Sequence, residues 1–231
     1  NLTASAPSCT TDGTGTCTLT FTSTVSGSYV ITATLGVGGP GLTNPVNHTL
    51  VFAAGPPNAG NSSLVLSPST IVGDGVSASS ATVTARDANL NLVPGAVVSF
   101  PVVPNVSGTG GTCTTSAVAG PGFGTCSVSL TSTVSGSYAI HATIGGTDVG
   151  GSPATLTVTA GAPNAGTSTW TVAPAGPITA DGVAAYTVTF TAKDANGNTV
   201  TTPGTVFAVP AVVNLTASAP SCTTDGTGTC T

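Results

Sequence analysis

Six cysteines carry the spacing-dependent chemistry of this chain. They fall into three close pairs: Cys9/Cys17, Cys113/Cys126 and Cys222/Cys230. Seven, twelve and seven residues separate the partners, and no cysteine is left over. Paired thiols of this kind suit disulfides in an oxidising compartment. Zinc is the rival, but its ligand sets favour C-x2-4-C spacing or a nearby His, and His48 and His141 lie far off in the sequence. A redox-active pair would want C-x-x-C spacing or an electropositive setting, and the chain offers neither. All six cysteines are therefore expected in structural staples. A closed loop of ~15 residues is credited with roughly 3 kcal/mol, which matters in a chain with only 4% aromatic residues.

The charged residues are few enough to weigh one by one. All seven carboxylates are Asp, and the cations are Arg86 and Lys193. Asp87 and Asp194 directly follow those cations, which predicts an Asx-type turn with an exposed ion pair. The functional rival is calcium at a domain junction, drawing on Asp74 or Asp181 as well, but calcium prefers six to eight oxygens, usually with several carboxylates. His48 and His141 fall on outward positions with no Ser–Asp partner evident, whereas nucleophile, base and orienter must meet within hydrogen-bond reach. No catalytic, cofactor or metal residue is assigned, and the chain does not read as an enzyme. The sequons at Asn1, Asn47, Asn61, Asn105 and Asn214 are formal glycan acceptors, of the kind a Thr- and Asn-rich chain produces by chance.

A net charge of −5 with two cations cannot neutralise a phosphate backbone, which argues against nucleic acid as a partner. A basic membrane-surface face is missing for the same reason. Thr, Gly and Pro interrupt every apolar run before the eighteen or so residues of a membrane span, so no membrane insertion is expected in this segment. Disorder goes with low hydrophobicity and high net charge, whereas this chain is 39% hydrophobic. No signal-peptide pattern follows Asn1, so any export signal is expected outside this stretch.

The elements that would position these residues recur along the chain. Asn1–Thr18 returns letter for letter as Asn214–Thr231, 213 residues later. A shorter unit of about 107 residues is anchored by several words. TSTVSGSY occurs at Thr22–Tyr29 and Thr131–Tyr138, and GPPNAG at Gly55–Gly60 matches GAPNAG at Gly161–Gly166. ARDAN at Ala85–Asn89 matches AKDAN at Ala192–Asn196. Residues 1–54 thus read as the rear of one domain, 55–160 as a whole domain and 161–231 as the front of a third, a window on a longer tandem array. Each half is expected to expose an apolar face and unpaired edges. Head-to-tail joining of separate copies would complete the fold, but the two identical eighteen-residue stretches would compete for one place. A continuous polypeptide explains the overlap more simply.

Nearly every segment between turn signals alternates apolar and polar, the period of a half-buried strand. Val83 and Ala85 are expected inward, as are Tyr138, Ile140, Ala142 and Ile144, with Tyr29, Ile31, Val188, Phe190 and Trp170 on the matching faces of the flanking pieces. Trp170 takes the place that Leu64 holds in the neighbouring copy. No helical period occurs. About seven short strands per ~100 residues suggest an all-β chain of tandem immunoglobulin-like sandwiches, joined by stiff, Pro-containing linkers at Ala53–Gly60 and Thr159–Gly166.

The Asp74-Gly-Val segment, the words Asp87-Ala-Asn and Asp194-Ala-Asn-Gly-Asn ahead of a Pro-Gly strand start, Thr11-Asp12 before a Gly, and the strand pair ending in Tyr29 or Tyr138 resemble the bacterial immunoglobulin-like repeats of the invasin and intimin surface adhesins. Cys17 and Cys126 depart from the family's usual small residue, and Ser116–Gly124 replaces the Thr-Asp-Gly turn with a five-residue insertion. The resemblance implies an extracellular, bacterial cell-surface stalk or filament whose partners are neighbouring repeats of the same chain. Two other readings are a binding module using the Thr114–Thr125 loop for a ligand or glycan, and a self-associating fibre subunit.

Overall fold

The computed structural model describes residues 2–36, 40 and 47–231. Among the described residues all regular structure is β apart from one short 3-10 turn, Ala59–Asn61. The first stretch forms β1 (Leu2–Ala4), β2 (Phe21–Ser23), β3 (Gly27–Ile31) and β4 (His48–Phe52), with β1 on β2 and β3 on β4. The middle stretch forms β5 (Ser63–Ser67), β6 (Thr70–Val72), β7 (Ser79–Thr84), β8 (Val97–Ser99), β9 (Thr112–Thr114), β10 (Thr125–Leu130), β11 (Gly136–Ile140), β12 (Thr143–Ile144), β13 (Thr147–Asp148) and β14 (Ala154–Thr159). The last stretch adds β15 (Thr169–Ala173), β16 (Thr187–Thr191), β17 (Val206–Ala208), β18 (Ser221–Thr223) and β19 (Thr229–Cys230).

In the middle stretch one sheet has the order β10-β7-β5. The opposing layer consists of β11-β14-β6 and β13-β12-β8-β9, which meet where the chain passes from β11 into β12. Alternation dictates what lies between the layers. Ala81, Val83 and Ala85 on one side, and Val98, Ile140, Ala142 and Leu156 on the other, are fully buried in a single cluster with Phe100 and Leu130. The Thr and Ser residues between them face outward, where Thr82 and Ser127 bond across strands at 2.8 Å. Burying an aliphatic side chain of this size contributes about 1.5–3 kcal/mol, so the middle sandwich has a core of its own.

The flanking stretches repeat this pairing without that enclosure. Gly27 pairs with Phe52 and Tyr29 with Leu50, just as Gly136 pairs with Val158 and Tyr138 with Leu156. Trp170 pairs with Phe190 as Leu64 pairs with Val83. Here one expectation fails. Trp170, expected in a core, is 63% exposed, and Phe190 is only half-buried. Their side chains stack on one another, and Phe190 also stacks on Phe207 of the β17–β18 pair, an opposing layer that among the described residues is too small to cover Trp170.

Candidate functional site

Two recurring clusters of polar side chains lie where the middle sandwich meets the flanking stretches. Strand β7 runs out at Thr84, and the chain turns back through Arg86–Leu92. Asp87 heads that turn, and the residue is 2% exposed. One oxygen accepts from the backbone N–H groups of Asn89 (2.8 Å) and Asn91 (2.9 Å). The other accepts from the Gly55 N–H (2.8 Å) and the Asn91 side-chain amide (2.9 Å). Four donors on one carboxylate, the Asn91 amide foremost, hold its pKa down at about 2. Gly55 belongs to the linker, so this anion fastens the incoming chain to the domain it enters. The linker is also tied by Asn58 N–H to the Arg86 carbonyl (2.7 Å) and by the Asn61 amide to the Asp87 carbonyl (2.9 Å).

Asn91 reaches further, into the preceding repeat. Its Oδ1 accepts from the Ser26 N–H (2.9 Å) and its Nδ2 donates to the Thr24 carbonyl (3.0 Å). The loop it grips is pre-formed. Ser23 Oγ bonds both N–H and carbonyl of Val25, and the Tyr29 hydroxyl donates to that same carbonyl at 3.0 Å. A turn and a loop thus act as plug and socket.

The next boundary is built from the same parts. Asp194, also 2% exposed, accepts from the N–H groups of Asn196, Asn198 and Gly161 and from the Asn198 amide, all at 2.8–2.9 Å. Burial opposes its charge, but the Asn198 amide and these N–H groups outweigh burial and leave its pKa below the ordinary value. Asn198 accepts from the Ser135 N–H and donates to the Thr133 carbonyl, both at 2.9 Å. Tyr138 and Ser132 brace Val134 as their counterparts brace Val25. One extra bond, from the Asn196 amide to the Gly73 carbonyl (2.8 Å), ties this second joint to another loop of the middle sandwich.

These contacts correct two expectations. No ion pair joins Arg86 to Asp87. The Arg86 guanidinium instead donates to the Leu90 carbonyl at 2.6 Å, capping the turn. The linkers owe their order to the Asp and Asn bonds as well as to proline. Calcium fares poorly at these carboxylates, since the positive ends of N–H dipoles already face both oxygens of Asp87 and Asp194. Asp74 and Asp181 likewise accept from Val76 and Ser77, and from Val183 and Ala184. Among the described residues, no three His, Cys, Asp or Glu side chains come together as a metal site.

His141 does have a carboxylate partner, contrary to the sequence reading. The β12–β13 hairpin returns Asp148 to within 3.1 Å of its Nδ1. Ser152 Oγ donates to Asp148 at 3.0 Å and accepts from the Ala142 N–H. The hydroxyl therefore faces the carboxylate and not the imidazole, and no nucleophile–base contact results.

The cysteines join as Cys9–Cys17, Cys113–Cys126 and Cys222–Cys230. Cys113 lies on β9 and Cys126 on β10, strands successive in the chain but in different layers, so this bond staples one sheet to the other. Cys222 on β18 and Cys230 on β19 repeat that arrangement. The insertion between Cys113 and Cys126 is folded back by Ser116 N–H to Thr125 O and Gly124 N–H to Ser116 O, leaving Val118 77% exposed. At the sequons, Asn105 and Asn214 have φ of 65° and 61°, a left-handed conformation that Asn tolerates better than most residues. The Asn61 amide is occupied by Asp87, and Asn1 lies outside the described residues.

Residues 61–161 match the family model of the bacterial Ig-like domain, group 1. The middle sandwich is a bacterial Ig-like domain. The chain is also similar to solved structures of bacterial adhesins. It superposes on invasin, described as a bacterial integrin-binding protein, with a TM-score of 0.52 and 26% identity, covering 96% of this chain and 45% of that one. For InvD of Yersinia pseudotuberculosis the TM-score is 0.55 at 24% identity, covering 89% of this chain and 62% of that one. For the Escherichia coli adhesin FdeC it is 0.52 at 22%, covering 78% and 55%. The last two likenesses concern fold alone. The chain spans less than two thirds of the length of each of these adhesin structures. No curated protein sequence matches it. Among the described residues no helix is long and apolar enough to cross a membrane.

Sequence reasoning used the repeated words of this Ig-like domain only as markers of period. Asn91, Asn198 and the Thr-Val-Ser loops are the functional residues it missed. The available signal was that D-x-N-x-N and TSTVSGSY both recur, which is what two halves of one repeated contact would do.

Proposed function

We propose that this chain is a stalk segment of an extracellular, surface-displayed bacterial adhesin, a string of Ig-like sandwiches that gives reach and does no catalysis. Its divisions are the rear of one domain at 1–54, a whole domain at 55–160 and the front of the next at 161–231. Neighbouring repeats of the same chain are its partners. The observation that carries this reading is the recurrence of one joint at two successive boundaries, Asp87–Asn91 on Thr24–Ser26 and Asp194–Asn198 on Thr133–Ser135. A connector that merely tethered two modules would need no such repetition. Likeness to adhesins, three disulfides and the scarcity of Lys and Arg as sites for trypsin-like proteases point the same way.

Electron microscopy of the native protein tests the proposal. Thin single strings on the cell surface, lengthening with repeat number, are expected; a compact intracellular particle would refute it. A rival binding role for the Thr114–Thr125 loop draws on the exposure of Val118. A glycan and host-protein array probed with the chain should stay blank, and a saturable hit lost in a Val118→Ser variant would promote that rival.

A further inference from the structure

We infer that Asn196–Gly197 is a self-modification site. When the second joint opens, the chain converts Asn196 to aspartate or isoaspartate, and the joint no longer recloses. This is the chain's single Asn-Gly pair, and the reaction needs only water. The Gly197 backbone nitrogen, giving up its proton, attacks Cγ of the Asn196 side chain. The new N–Cγ bond closes a succinimide ring, and the Cγ–Nδ2 bond breaks with release of ammonia. Water then adds to either ring carbonyl and cleaves one C–N bond. The product is aspartate or, with the main chain rerouted through Cβ and Cγ, isoaspartate. Nothing is oxidised or reduced. Nucleophile and electrophile on neighbouring residues give the first step the advantage of an intramolecular reaction, and Gly197, having no side chain, leaves its nitrogen unshielded.

The closed joint holds both reacting groups elsewhere. The Asn196 amide donates to the Gly73 carbonyl across the boundary at 2.8 Å, and the Gly197 N–H donates to the Asp194 carbonyl at 3.0 Å. The Asn196 N–H is itself held by Asp194 Oδ1 at 2.9 Å, the oxygen that also receives the Asn198 N–H. Local opening frees these groups, and both residues are exposed to the water that completes the step. The turn alone does not dictate the glycine. Its φ of 84° is matched at the first joint by Leu90 at 68°, which follows Asn89 in the equivalent turn. One joint thus carries a shielded Asn-Leu and the other a reactive Asn-Gly. The product suits the second joint badly. A carboxylate at position 196 faces the Gly73 carbonyl with no proton to share, and it brings a second negative charge beside Asp194. Isoaspartate also lengthens the main chain by a methylene ahead of Asn198, which shifts that side chain from the Thr133 and Ser135 backbone groups it grips.

This inference rests on the geometry of the second joint and not on the stalk reading. The 231-residue chain is incubated at neutral pH in heavy-oxygen water and its peptides are mapped by mass spectrometry. Replacement of a nitrogen by heavy oxygen at residue 196 is expected, with Asn89 unchanged over the same time. Unfolding the chain in urea should speed the conversion. An Asn198→Ala variant, which gives up the grip on Thr133 and Ser135, should speed it about 5–30-fold, while hydrogen exchange at the Ser26 amide, on the first joint, stays as in the wild type. A Gly197→Leu variant, built on the precedent of Leu90, should keep Asn196 intact. In an Asn196→Asp variant the Ser135 amide should exchange faster, as it should in the aged wild type. Asn196 left intact in the wild type, conversion equally fast in the folded and unfolded chain, or an Asn196→Asp variant with unchanged Ser135 exchange would overturn the proposal.

Discussion

Asp87 shows how a nearly buried charge is made useful at the scale of a residue. No cation partners it; four N–H groups do, and they connect linker, turn and, through Asn91, the preceding repeat. Its folded pKa of about 2 lies below the ordinary 3.8. The ionised form is therefore the one the fold favours, and its contribution is complete above about pH 4 and lost as the pH falls towards 2. Asp194 is shifted in the same direction. Thermal melting of the chain should show a flat plateau through neutral pH and a fall in Tm below pH 4, and Asp87→Ala should lower the plateau while flattening that acid limb. Adding calcium or a chelator should leave the melting curve where it is. The turn itself was legible, because Asp followed by Ala-Asn is strong local chemistry. The ion pair assigned to it was not, because the Arg86 side chain satisfies the Leu90 carbonyl of its own turn. The reach of Asn91 to residues 65 and 67 positions away has no local signature, only the coincidence of two repeated words.

At the scale of the element, alternation carried most of the information. The inward register of Val83, Ala85, Tyr138, Ile140, Ala142 and Ile144 could be written down before any coordinates, since a strand with one wet face has little choice. Layer assignment was less accessible. Nothing between Cys113 and Cys126 says that β9 and β10 belong to opposite sheets, so the bond's role as an inter-sheet staple emerges only from the topology. Replacing both cysteines by Ser should cost about 2–4 kcal/mol in denaturant unfolding, with the m-value rising as the unfolded chain expands. Tyr138 is a second element-scale device: its ring packs on the core while its hydroxyl braces the Val134 loop. A Tyr138→Phe variant should lose about 1 kcal/mol and should loosen the loop that Asn198 grips, seen as faster hydrogen exchange at the Ser135 amide. Exposure of Trp170 follows from the same logic, because a sheet face is buried only when another layer lies over it, whatever the register of the residue.

For the whole molecule, the consequence is mechanical. On the stalk reading proposed above, a sandwich with its own core, fastened at each end by a carboxylate, an asparagine and a braced loop, would transmit its orientation to its neighbour instead of swivelling. Each Asn donates and accepts across the boundary, and with roughly 1 kcal/mol net per bond a joint is firm without being permanent. In the proposed stalk, stacking many such joints would convert modest local energies into reach. Small-angle X-ray scattering of the 231-residue chain, at dilutions where it is monomeric, compared with the Asn91→Ala/Asn198→Ala double variant, measures this most directly. The wild type should scatter as a straight rod with one sharp maximum dimension, and the double variant, equally folded by circular dichroism, should show a shorter mean dimension and the spread of a jointed chain. Indistinguishable profiles from the two proteins would mean that the asparagines do not set the angle between domains, and the rigid-joint account would fail.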